Sequence, residues 1–459
     1  MQIRFRTYLW LLLWLGGLAL ARAGTATNAL VWQTAADSVT ADVRGEALWP
    51  LLTDIAHQTG WHIFVEPGID RKADVKFSGL TSGDALKKLL GDLNYAYVPK
   101  TNEADQLYVF ATTMRAATQR VNVAPTNKVA VAKHIPNELI LKVKPGTDID
   151  ALAKVLGAKV IGRDDKLGIY RLQFPDAAAT DTALASLKSN SDVAAVDYNY
   201  IYDAPPASQA IDNAPVGPAK LTFDAPKDGD PCNPIIGLVD TQVQTLGNGL
   251  DQFLMKPISV VGDVAPVTGT ITHGSAMAGT IAYALGQVSG GHTSARILSV
   301  NAYASGDTTT TYDLLKGVVA AVNNGATVIN ISAGGTTDSP IFDSAIQQYI
   351  AQGIVFFASA GNTPVNTPTF PAAVPGVNAV TALGAPGQLA SYANYGNFVE
   401  MALPGTSYVY LGNQAYVVQG TSPAAAYASG IAAGTKTVNC AGWPQIISAM
   451  TQKFPVPVK

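Results

Sequence analysis

The chain has 459 residues, more than the roughly 250 to 300 that one hydrophobic core usually serves, so we expect several domains. Charged residues are 14% of the total, hydrophobic residues are 48%, and the formal net charge is -3. This balance excludes a disordered chain and a highly charged nucleic-acid-binding protein. The 42 glycines and 27 prolines are close to ordinary usage and exclude a collagen-like or low-complexity chain.

The first residues have the pattern of a secretory signal peptide. Arg4 and Arg6 precede an apolar run from Tyr8 to Leu20, and the small-residue site Ala21-Arg22-Ala23 follows at once. The run is shorter than the roughly 18 residues that a membrane span needs, although a retained anchor stays the alternative. We therefore predict a signal peptide at 1–23 and export to the periplasm or the medium, where disulfides are permitted.

Residues 36–111 predict a small α+β domain. The spacing of apolar residues predicts the order strand, helix, strand, strand, helix, strand. A unit of this size buries only a small core and suits a docking module. The segments GEALWPLLTDIAHQTGWHIFV and VKFSGLTSGDALKKLLGDLNYAYV resemble the short N-terminal domain of secretins and TonB-dependent receptors. The resemblance implies an envelope protein as a possible partner, and a generic α+β domain is the alternative.

A second small α+β unit is predicted at 134–202, between linkers at 112–133 and 203–231. Its pattern gives the order β-α-β-β-α-β, and both linkers lack a sustained period. The stretches PNELILKVKPG and SDVAAVDYNY resemble the propeptide of subtilisin-like proteases. That resemblance implies that the unit acts as an intramolecular inhibitor.

From Cys232 onward, short apolar strands alternate with helices, which predicts a parallel sheet covered on both faces. One helix is expected to begin with Ser339 as its N-cap and Pro340 in its first turn. Active sites in such α/β domains lie at the carboxyl ends of the strands.

Asp240, His273 and Ser422 are the candidate catalytic residues. Asp240 ends the apolar strand IIGLV, His273 opens the small-residue segment HGSAMAGTIA, and Ser422 stands before the alanine-rich segment PAAAYASG. Taken singly, each has an ordinary structural interpretation: a turn cap, a packed histidine and a helix N-cap. Their order along the chain, Asp then His then Ser, is that of subtilisin.

Five segments in order resemble the subtilases, the subtilisin-like serine proteases: VDTQV, HGSAMAGT, INISAGG, ASAGN and GTSPAAA. The resemblance implies a parallel-sheet α/β catalytic domain at 232–459, preceded by the two small α+β domains. A nucleotide-binding α/β fold is the alternative, but it needs a glycine-rich phosphate loop where this chain has Asp240-Thr241-Gln242.

The resemblance implies a specific role for each site residue. His273 would take the proton of the Ser422 hydroxyl, and Asp240 would orient the imidazole. Asn362 matches the family residue whose amide binds the oxyanion, together with the backbone N–H of Ser422.

The expected substrates are proteins and peptides, bound mainly through their backbone. Ser332, Ala333 and Gly334 resemble the edge that pairs with an extended peptide. Small residues would line the pocket that binds the substrate side chain before the cleaved bond. These residues are Gly334 together with Ala358, Ser359, Ala360 and Gly361. Phe370-Pro371 resembles a step that is cis in the family.

Two departures from the family pattern and one missing loop affect these expectations. Gln242 stands where the family usually has glycine, and Pro423 follows the serine where methionine is common. The loop YALGQVSGGHT lacks the calcium-binding insertion of many relatives, so we predict no metal there and no cofactor. The departures also motivate the rival hypothesis, a catalytically inactive pseudoprotease that acts as an envelope binding protein.

Maturation and one disulfide complete the expectations. By resemblance, the propeptide's last strand points toward the cleft, so self-cleavage is expected between Tyr200 and Pro231, with Tyr200 and Tyr202 as candidate residues before the cut. An intact linker is the alternative. Cys232 and Cys440 are expected to form a disulfide, with two buried thiols as the alternative.

Overall fold

The computed structural model describes 29–66, 68–100, 104–117, 119–121, 133–205, 208–212, 214–225, 232–247, 249–304, 308–384 and 387–457. The predicted signal peptide at 1–23 lies outside these residues. Within them, no helix combines the length and the apolar character needed to cross a membrane.

The first domain contains every element that the sequence pattern predicts, with the last predicted strand present as two strands, β5 and β6, and with one further strand at each end. Its elements are β1 (Ala29–Gln33), β2 (Ser38–Ala47), α1 (Leu48–Thr59), β3 (His62–Val65), β4 (Lys72–Leu80), α2 (Ser82–Leu90), β5 (Asn94–Val98), β6 (Gln106–Phe110) and β7 (Gln119–Arg120). They form two sheets in the orders β1-β2-β4 and β5-β6-β3-β7. Because β1 and β7 belong to these sheets, the domain extends beyond the predicted limits of 36 and 111.

The second unit has the predicted β-α-β-β-α-β order. Its elements are β8 (His134–Val143), α3 (Ile149–Val155), β9 (Lys159–Asp164), β10 (Ile169–Gln173), α4 (Ala177–Leu187) and β11 (Val193–Asp203). Helix α4 begins earlier than its apolar pattern indicates because Asp176 caps it, accepting a hydrogen bond from the Ala179 N–H.

The segment between the second unit and the catalytic domain contains β12 (Gln209–Ile211) and β13 (Thr222–Phe223). The catalytic domain then contains β14 (Ile235–Asp240), β15 (Ile258–Ser259), α5 (His273–Ser289), β16 (His292–Thr293), β17 (Arg296–Asn301), β18 (Thr308–Thr310), α6 (Thr311–Asn323), β19 (Val328–Ile331), α7 (Pro340–Ile350), β20 (Val355–Ser359), β21 (Asn378–Leu383), β22 (Met401–Pro404), β23 (Thr406–Leu411), β24 (Gln414–Gln419), α8 (Thr421–Asn439) and α9 (Trp443–Lys453).

The catalytic domain is built on a seven-stranded sheet in the order β15-β17-β14-β19-β20-β21-β22. All of its pairs are parallel. Its strands are almost entirely buried, as expected for a sheet with helices on both faces. Strand β14 lies between β17 and β19, so its carboxyl end opens at the middle of the sheet.

Helices α5 and α8, which carry His273 and Ser422, pack directly against each other. A Cβ atom at Gly430 of α8 would lie 2.6 Å from the Ile281 carbonyl oxygen and 2.7 Å from the Ala284 side chain. Since real Cβ contacts are not this short, the interhelical distance requires glycine at this position. The small residues that the sequence places here therefore set how closely the two helices approach.

Two short strands attach the segment predicted as the linker 203–231 to the catalytic domain. Strand β12 pairs antiparallel with β24, and β13 pairs parallel with β16. Strand β11 also extends to Asp203 and pairs with β18 of the catalytic domain. The segment is short and rich in proline, so its sequence period does not reveal these pairings.

A disulfide joins Cys232 to Cys440, as the sequence suggested, with the two Cα atoms 5.0 Å apart. Cys232 precedes β14, and Cys440 is the left-handed C-cap residue of α8, with φ of 49°. The bridge therefore closes a loop around almost the whole catalytic domain, over a sequence separation of 208.

Removal of this bridge should lower stability. The double variant Cys232→Ser, Cys440→Asn keeps a residue type that tolerates the left-handed C-cap. Loop closure over this separation contributes at most about 5 kcal/mol, so we expect a clear fall in the thermal midpoint measured by circular dichroism. Reductant should lower the midpoint of the unaltered protein equally and leave the variant unchanged. Equal midpoints for the unaltered protein and the variant, both measured without reductant, would show that the bridge does not stabilise the fold.

Candidate active site

Asp240 and His273 form a buried hydrogen-bonded pair at the carboxyl end of β14. The imidazole Nδ1 lies 2.8 Å and 3.0 Å from the two carboxylate oxygens, and the side chains are 2% and 5% exposed. The backbone N–H of Thr241 also donates to the carboxylate at 2.7 Å. A carboxylate only accepts, so this contact places a proton on Nδ1 and leaves Nε2 available as a base.

The start of α5 is held against the loop after β14 by backbone contacts. A Cβ atom at Gly274 would lie 2.2 Å from the Thr241 carbonyl oxygen, so only glycine fits at this position. The Gly274 N–H donates to the Thr241 hydroxyl at 2.8 Å, and Thr272 caps the helix by accepting from the Ser275 N–H. The position of His273 thus depends on the residue that follows it.

Ser422 is the second residue of α8 and is 4% exposed. Its hydroxyl donates to the backbone carbonyl of Ser332 at 3.5 Å. Among the hydrogen bonds of the described residues, none joins Ser422 to His273. Active-site hydrogen bonds are often long before substrate binds, so the arrangement is compatible with a serine and its base.

Asn362 follows β20 and is held by the residue before Ser422. Its side-chain oxygen accepts from the Thr421 N–H at 2.8 Å and from the Thr421 hydroxyl at 3.1 Å. The oxygen is therefore occupied, and the amide nitrogen remains as a donor. A Cβ atom at Gly420 would lie 3.0 Å from that nitrogen, which places the donor beside the start of α8.

The predicted substrate-binding residues lie at the ends of β19 and β20. Ser332 and Ala333 follow β19, and the small residues Ala358, Ser359 and Ala360 are buried at the end of β20. Gly361 adopts a positive φ of 104°. The structure therefore brings these residues to the carboxyl ends of the strands, where Asp240 also lies.

The segment after β19 runs beside Phe370. Gly335 and Phe370 exchange backbone hydrogen bonds of 3.1 and 2.7 Å. A Cβ atom at Gly334 would lie 2.8 Å from the Phe370 carbonyl oxygen. The cis Phe370-Pro371 bond is present as predicted.

The two sequence departures fit the site without backbone strain. Among described non-glycine residues, positive φ occurs only at Asp37 and Cys440, so Gln242 does not need the freedom of glycine. Its carbonyl accepts from the Thr272 hydroxyl, and its side chain donates to the Ala265 carbonyl. Pro423 lies in the first turn of α8, where a backbone N–H has no partner within the helix.

Tyr200 and Tyr202, the residues expected before the cut, each make contacts within the precursor. The Tyr200 hydroxyl donates to Asp197 at 2.7 Å. The Tyr202 ring is buried against Gly335, further along the same segment from the Ser332 carbonyl that contacts Ser422. Strand β11 continues to Asp203 and pairs with β18, which favours a cut further along the chain.

Tyr303 is a buried residue near the site that the sequence analysis missed. Its hydroxyl has no hydrogen-bond partner among the described residues. Burial raises the pKa of Tyr303 well above its usual value, and the charges of Asp240 and Asp203 raise it further. A single tyrosine after a strand carries no sequence signal that would reveal this position.

No set of three histidine, cysteine or acidic side chains could hold a metal ion within the part of the chain that the structure describes. Two of the remaining histidines make local contacts. His292 lies 3.3 Å from Asp224, and His134 stacks on Tyr198 with ring centroids 4.0 Å apart.

Two known families match this chain, one over the catalytic domain and one over the second small unit. Residues 232–453 match the subtilase family, and 121–199 match the fervidolysin N-terminal prodomain. Fervidolysin from Fervidobacterium pennivorans, a keratinolytic enzyme related to subtilisin, superimposes with a TM-score of 0.54 at 18% identity. The match covers 69% of this chain and 57% of the fervidolysin chain, and it supports the fold.

Two relatives are more similar to this chain in sequence than fervidolysin is. The thermophilic serine proteinase of Bacillus sp. (strain AK1) is 26% identical over 312 residues, which are 65% of this chain and 78% of the relative. Subtilisin DY of Bacillus licheniformis is 31% identical over 207 residues, which are 43% of this chain and 74% of the relative. The chain belongs to the subtilase family and is a subtilisin-like serine endopeptidase with a fervidolysin-like prodomain.

Proposed function

We propose that Asp240, His273 and Ser422 form the catalytic triad of this endopeptidase. The observation that carries the proposal is the buried Asp240–His273 pair, with Ser422 at the start of the helix that packs against α5. The retained base favours catalysis over the pseudoprotease hypothesis.

The reaction proceeds in two steps, acylation and then deacylation of Ser422. His273 Nε2 takes the hydroxyl proton as Ser422 Oγ bonds to the substrate carbonyl carbon, and the imidazolium then gives that proton to the leaving amine as the peptide bond breaks. Water attacks the acyl-enzyme, again with His273 accepting and then returning a proton to Ser422. Asp240 stays ionised and stabilises the imidazolium.

Asn362 supplies one donor to the oxyanion through its side-chain amide. Since Thr421 occupies the side-chain oxygen, the amide nitrogen is fixed before substrate binds. The Ser422 backbone N–H is the second donor, and it belongs to the positively polarised end of α8. Preorganised donors stabilise charge that develops in the transition state.

The prodomain inhibits the enzyme by covering the cleft and the starts of two surface helices. The Asn199 side chain accepts from the Tyr312 N–H of α6 at 3.1 Å, and Lys142 donates to Ser344 of α7 at 2.7 Å. Glu138 binds Arg171 through two hydrogen bonds of 2.8 Å and also accepts from Asn199. This buried network orients β11 toward β18.

Self-cleavage falls in the segment between Asp203 and Gln209. Upstream, Asp203 still pairs with Thr308, and downstream, Gln209 already pairs with Val417 near the start of α8. We therefore expect the cut between these two paired segments. Pro205 lies in this interval, and proline lacks the N–H that strand-like binding uses, so the cut should be slow.

The N-terminal domain extends the enzyme toward an envelope partner after export. Its resemblance to the short domain of secretins and TonB-dependent receptors supports this assignment, together with the signal-peptide pattern at 1–23. The domain docks on the catalytic domain, where Trp49 contacts the Tyr392 ring at 6.3 Å between centroids. A cavity of about 540 Å³ lies at this junction, lined in part by Arg71 and Pro364.

An acidic cluster lies between the prodomain and α7. Asp197 on β11 faces Asp338 and Asp343 at the start of α7, where Ser339 occupies the predicted N-cap position without a side-chain capping bond. Burial raises the pKa of Asp197. Burial, and then the hydrogen bond and charge of Asp338, raise the pKa of Asp343 to about 8, and the charge of Asp197 adds to the shift.

Ser422→Ala should abolish self-processing. The unaltered chain should yield a fragment that begins between 203 and 209 and react with a fluorophosphonate probe, because only an activated serine hydroxyl attacks it. The variant should remain full length after export and stay unlabelled, whereas Ser448→Ala on the exposed face of α9 should behave like the unaltered chain. Mass spectrometry of the exported products gives the new N-terminus. Processed, unlabelled protein would favour the pseudoprotease hypothesis, and identical fragments from both chains would refute self-processing.

Asn362→Ala should lower kcat about 100- to 1000-fold with little change in KM, the loss known for the corresponding asparagine of subtilisin itself. Asn362→Asp is the matched variant, since it keeps the acceptor for Thr421 but loses the amide donor. Steady-state hydrolysis of one peptide by all three enzymes checks the assignment. Full activity in Asn362→Asp would show that the residue only positions Thr421.

Inhibition by the prodomain should weaken as pH rises. In the complex, burial and the neighbouring Asp338 raise the pKa of Asp343 to about 8, and the charge of Asp197 adds to the shift. Departure of the prodomain removes Asp197 and the cover that β11 gives to α7, whereas Asp338 stays in place, so we expect the pKa of Asp343 to fall on dissociation. The bound state then holds more protons than the free state, and affinity is greatest at low pH and falls as pH rises toward about 8. Tyr200 and Tyr202 also face the cluster, but burial raises the pKa of each, so both stay neutral over this range.

Dissociation of the processed, non-covalent complex provides the measurement. Regain of peptidase activity after dilution is normalised at each pH to the fully activated enzyme, which removes the pH dependence of catalysis itself. Asp343→Asn should flatten the profile, while Lys142→Met, which removes the nearby cation on β8, should leave the slope in place. An equal slope in Asp343→Asn would contradict the assignment.

A further inference from the structure

The N-terminal domain contacts a loop of the catalytic domain that we call the junction loop, residues 387–395 after β21. Leu389 and Ser391 of this loop line the cavity between the two domains. Trp49 of α1 packs on Tyr392, with the ring centroids 6.3 Å apart. Both residues are more than nine-tenths buried and belong to one continuous hydrophobic cluster. The first domain therefore forms part of the packing around Tyr392.

The Tyr392 hydroxyl supports the backbone just before the nucleophile. It donates to the Gly405 carbonyl at 3.0 Å, and the same carbonyl accepts from the Gly420 N–H at 2.9 Å. A Cβ atom at Gly405 would overlap the hydroxyl, so this approach requires glycine. Burial raises the pKa of Tyr392, and its hydroxyl therefore stays a proton donor. Because Gly420 precedes α8 directly, the contact helps to fix the backbone from which Ser422 starts.

The same loop supports the segment that carries Asn362. Asn394, two residues beyond Tyr392, is 1% exposed. Its side-chain oxygen accepts from the Thr363 N–H at 2.8 Å, and its own N–H donates to the Gly361 carbonyl at 3.0 Å. These two contacts lie on either side of Asn362. The junction loop thus holds the segments that carry both proposed oxyanion donors, the Asn362 amide and the Ser422 N–H.

We propose that the N-terminal domain is an intramolecular positioning element for the oxyanion donors, and that it acts through Tyr392. Trp49 restricts the Tyr392 ring, and the hydroxyl then holds the Gly405 carbonyl where Gly420 also binds it. Tyr392 is a positioning residue, because it acts through Gly405 and Gly420. The inference rests on the proposed function and adds a role for the first domain in that same site.

This support belongs to the precursor. The N-terminal domain lies upstream of the expected cut at 203–209, so the cut leaves it joined to the prodomain and not to the protease. The Trp49 indole N–H has no partner among the described residues, and a cavity of about 540 Å³ borders the contact. Since a buried unpaired N–H costs free energy, the junction is suited to separate after the cut. We expect the domain to favour self-cleavage and to leave with the prodomain.

The rate of self-cleavage tests the role of Trp49. Full-length Trp49→Leu and unaltered chains are refolded from urea, and the fragment that begins between 203 and 209 is followed with time, while circular dichroism checks that both refold equally. We expect a three- to tenfold lower first-order rate in Trp49→Leu. Trp61→Leu is the matched control, because the Trp61 ring contacts Trp32 and Tyr97 within the first domain. Equal rates in Trp49→Leu and the unaltered chain, or equal slowing by both variants, would overturn the inference.

The released enzyme tests the role of the hydroxyl. Tyr392→Phe keeps the ring and loses the bond to Gly405, so kcat for a peptide should fall three- to tenfold with little change in KM, as expected when only transition-state stabilisation is lost. Tyr349→Phe on α7 is the matched control, since the Tyr349 hydroxyl is buried without a partner among the described residues. A change in KM alone, or an unchanged kcat, would overturn the assignment.

A double-mutant cycle connects the two residues. In the Tyr392→Phe background, Trp49→Leu should slow self-cleavage no further, because the effect of Trp49 passes through the hydroxyl. Additive slowing by the two substitutions would overturn the inference and leave the proposed function intact. Absence of fluorophosphonate labelling and of self-cleavage in the unaltered chain would instead overturn the proposed function itself.

Discussion

The buried contact between Asp240 and His273 is the constraint on which the catalytic domain depends. A carboxylate removed from water is stable only where its charge is satisfied, and here an imidazole N–H and the Thr241 N–H satisfy it. This requires the end of β14 and the start of α5 to meet at hydrogen-bonding distance. The absence of a side chain at Gly274 permits that approach, and Gly430 permits α8 to pack closely on the same helix. The geometry of the proposed triad is therefore a consequence of how closely backbones can approach.

The interface between prodomain and protease combines satisfied and unsatisfied polar groups. Asn199, Glu138 and Arg171 satisfy one another through several hydrogen bonds. At the start of α7, in contrast, one oxygen each of Asp197 and Asp343 is buried without a partner among the described residues. Uptake of a proton reduces the cost of burying these carboxylates, which links prodomain binding to pH. The hydrogen-bonded half of the interface thus orients the prodomain, and the acidic half makes its association depend on pH.

Much of the fold was predictable because its signals are local. The alternating apolar strands, Asp240 at the end of β14 and the glycines of the motifs follow from periodicity and from the close packing that a parallel sheet demands. The disulfide and the cis proline step were also anticipated, the latter from resemblance. The second small unit was found because its apolar period changes in a regular order, and its interpretation as a prodomain came from resemblance.

The misplaced features depend on pairing between distant segments. Strands β12 and β13 are too short for a periodic signal, and the reach of β11 to Asp203 depends on β18, more than one hundred residues away in sequence. Tyr200 and Tyr202 were proposed as residues before the cut from their residue type, whereas strand register, which the sequence does not reveal, decides where a strand residue lies. The acidic cluster was likewise invisible, because Asp197 and Asp343 belong to different domains. Local sequence patterns carry no information on such contacts.

Attachment of the linker to both sides of the cleft changes what activation requires. Strands β18 and β24 both bind the backbone of the precursor's own chain, which places that chain in competition with substrates for the catalytic domain. While the chain is intact, tethering gives it an effective concentration that free substrate does not match. A cut between Asp203 and Gln209 removes the tether from β11 alone, since β12 stays covalently joined to the catalytic domain, and the pairing of β11 with β18 persists until that strand dissociates. The prodomain side is sensitive to pH through its carboxylates, whereas the β24 side is held by backbone groups and by the side chains of Gln414 and Tyr410. Detachment of β11 from β18 and of β12 from β24 is therefore governed by different conditions, and dissociation of β11, more than the cut, determines when the prodomain leaves.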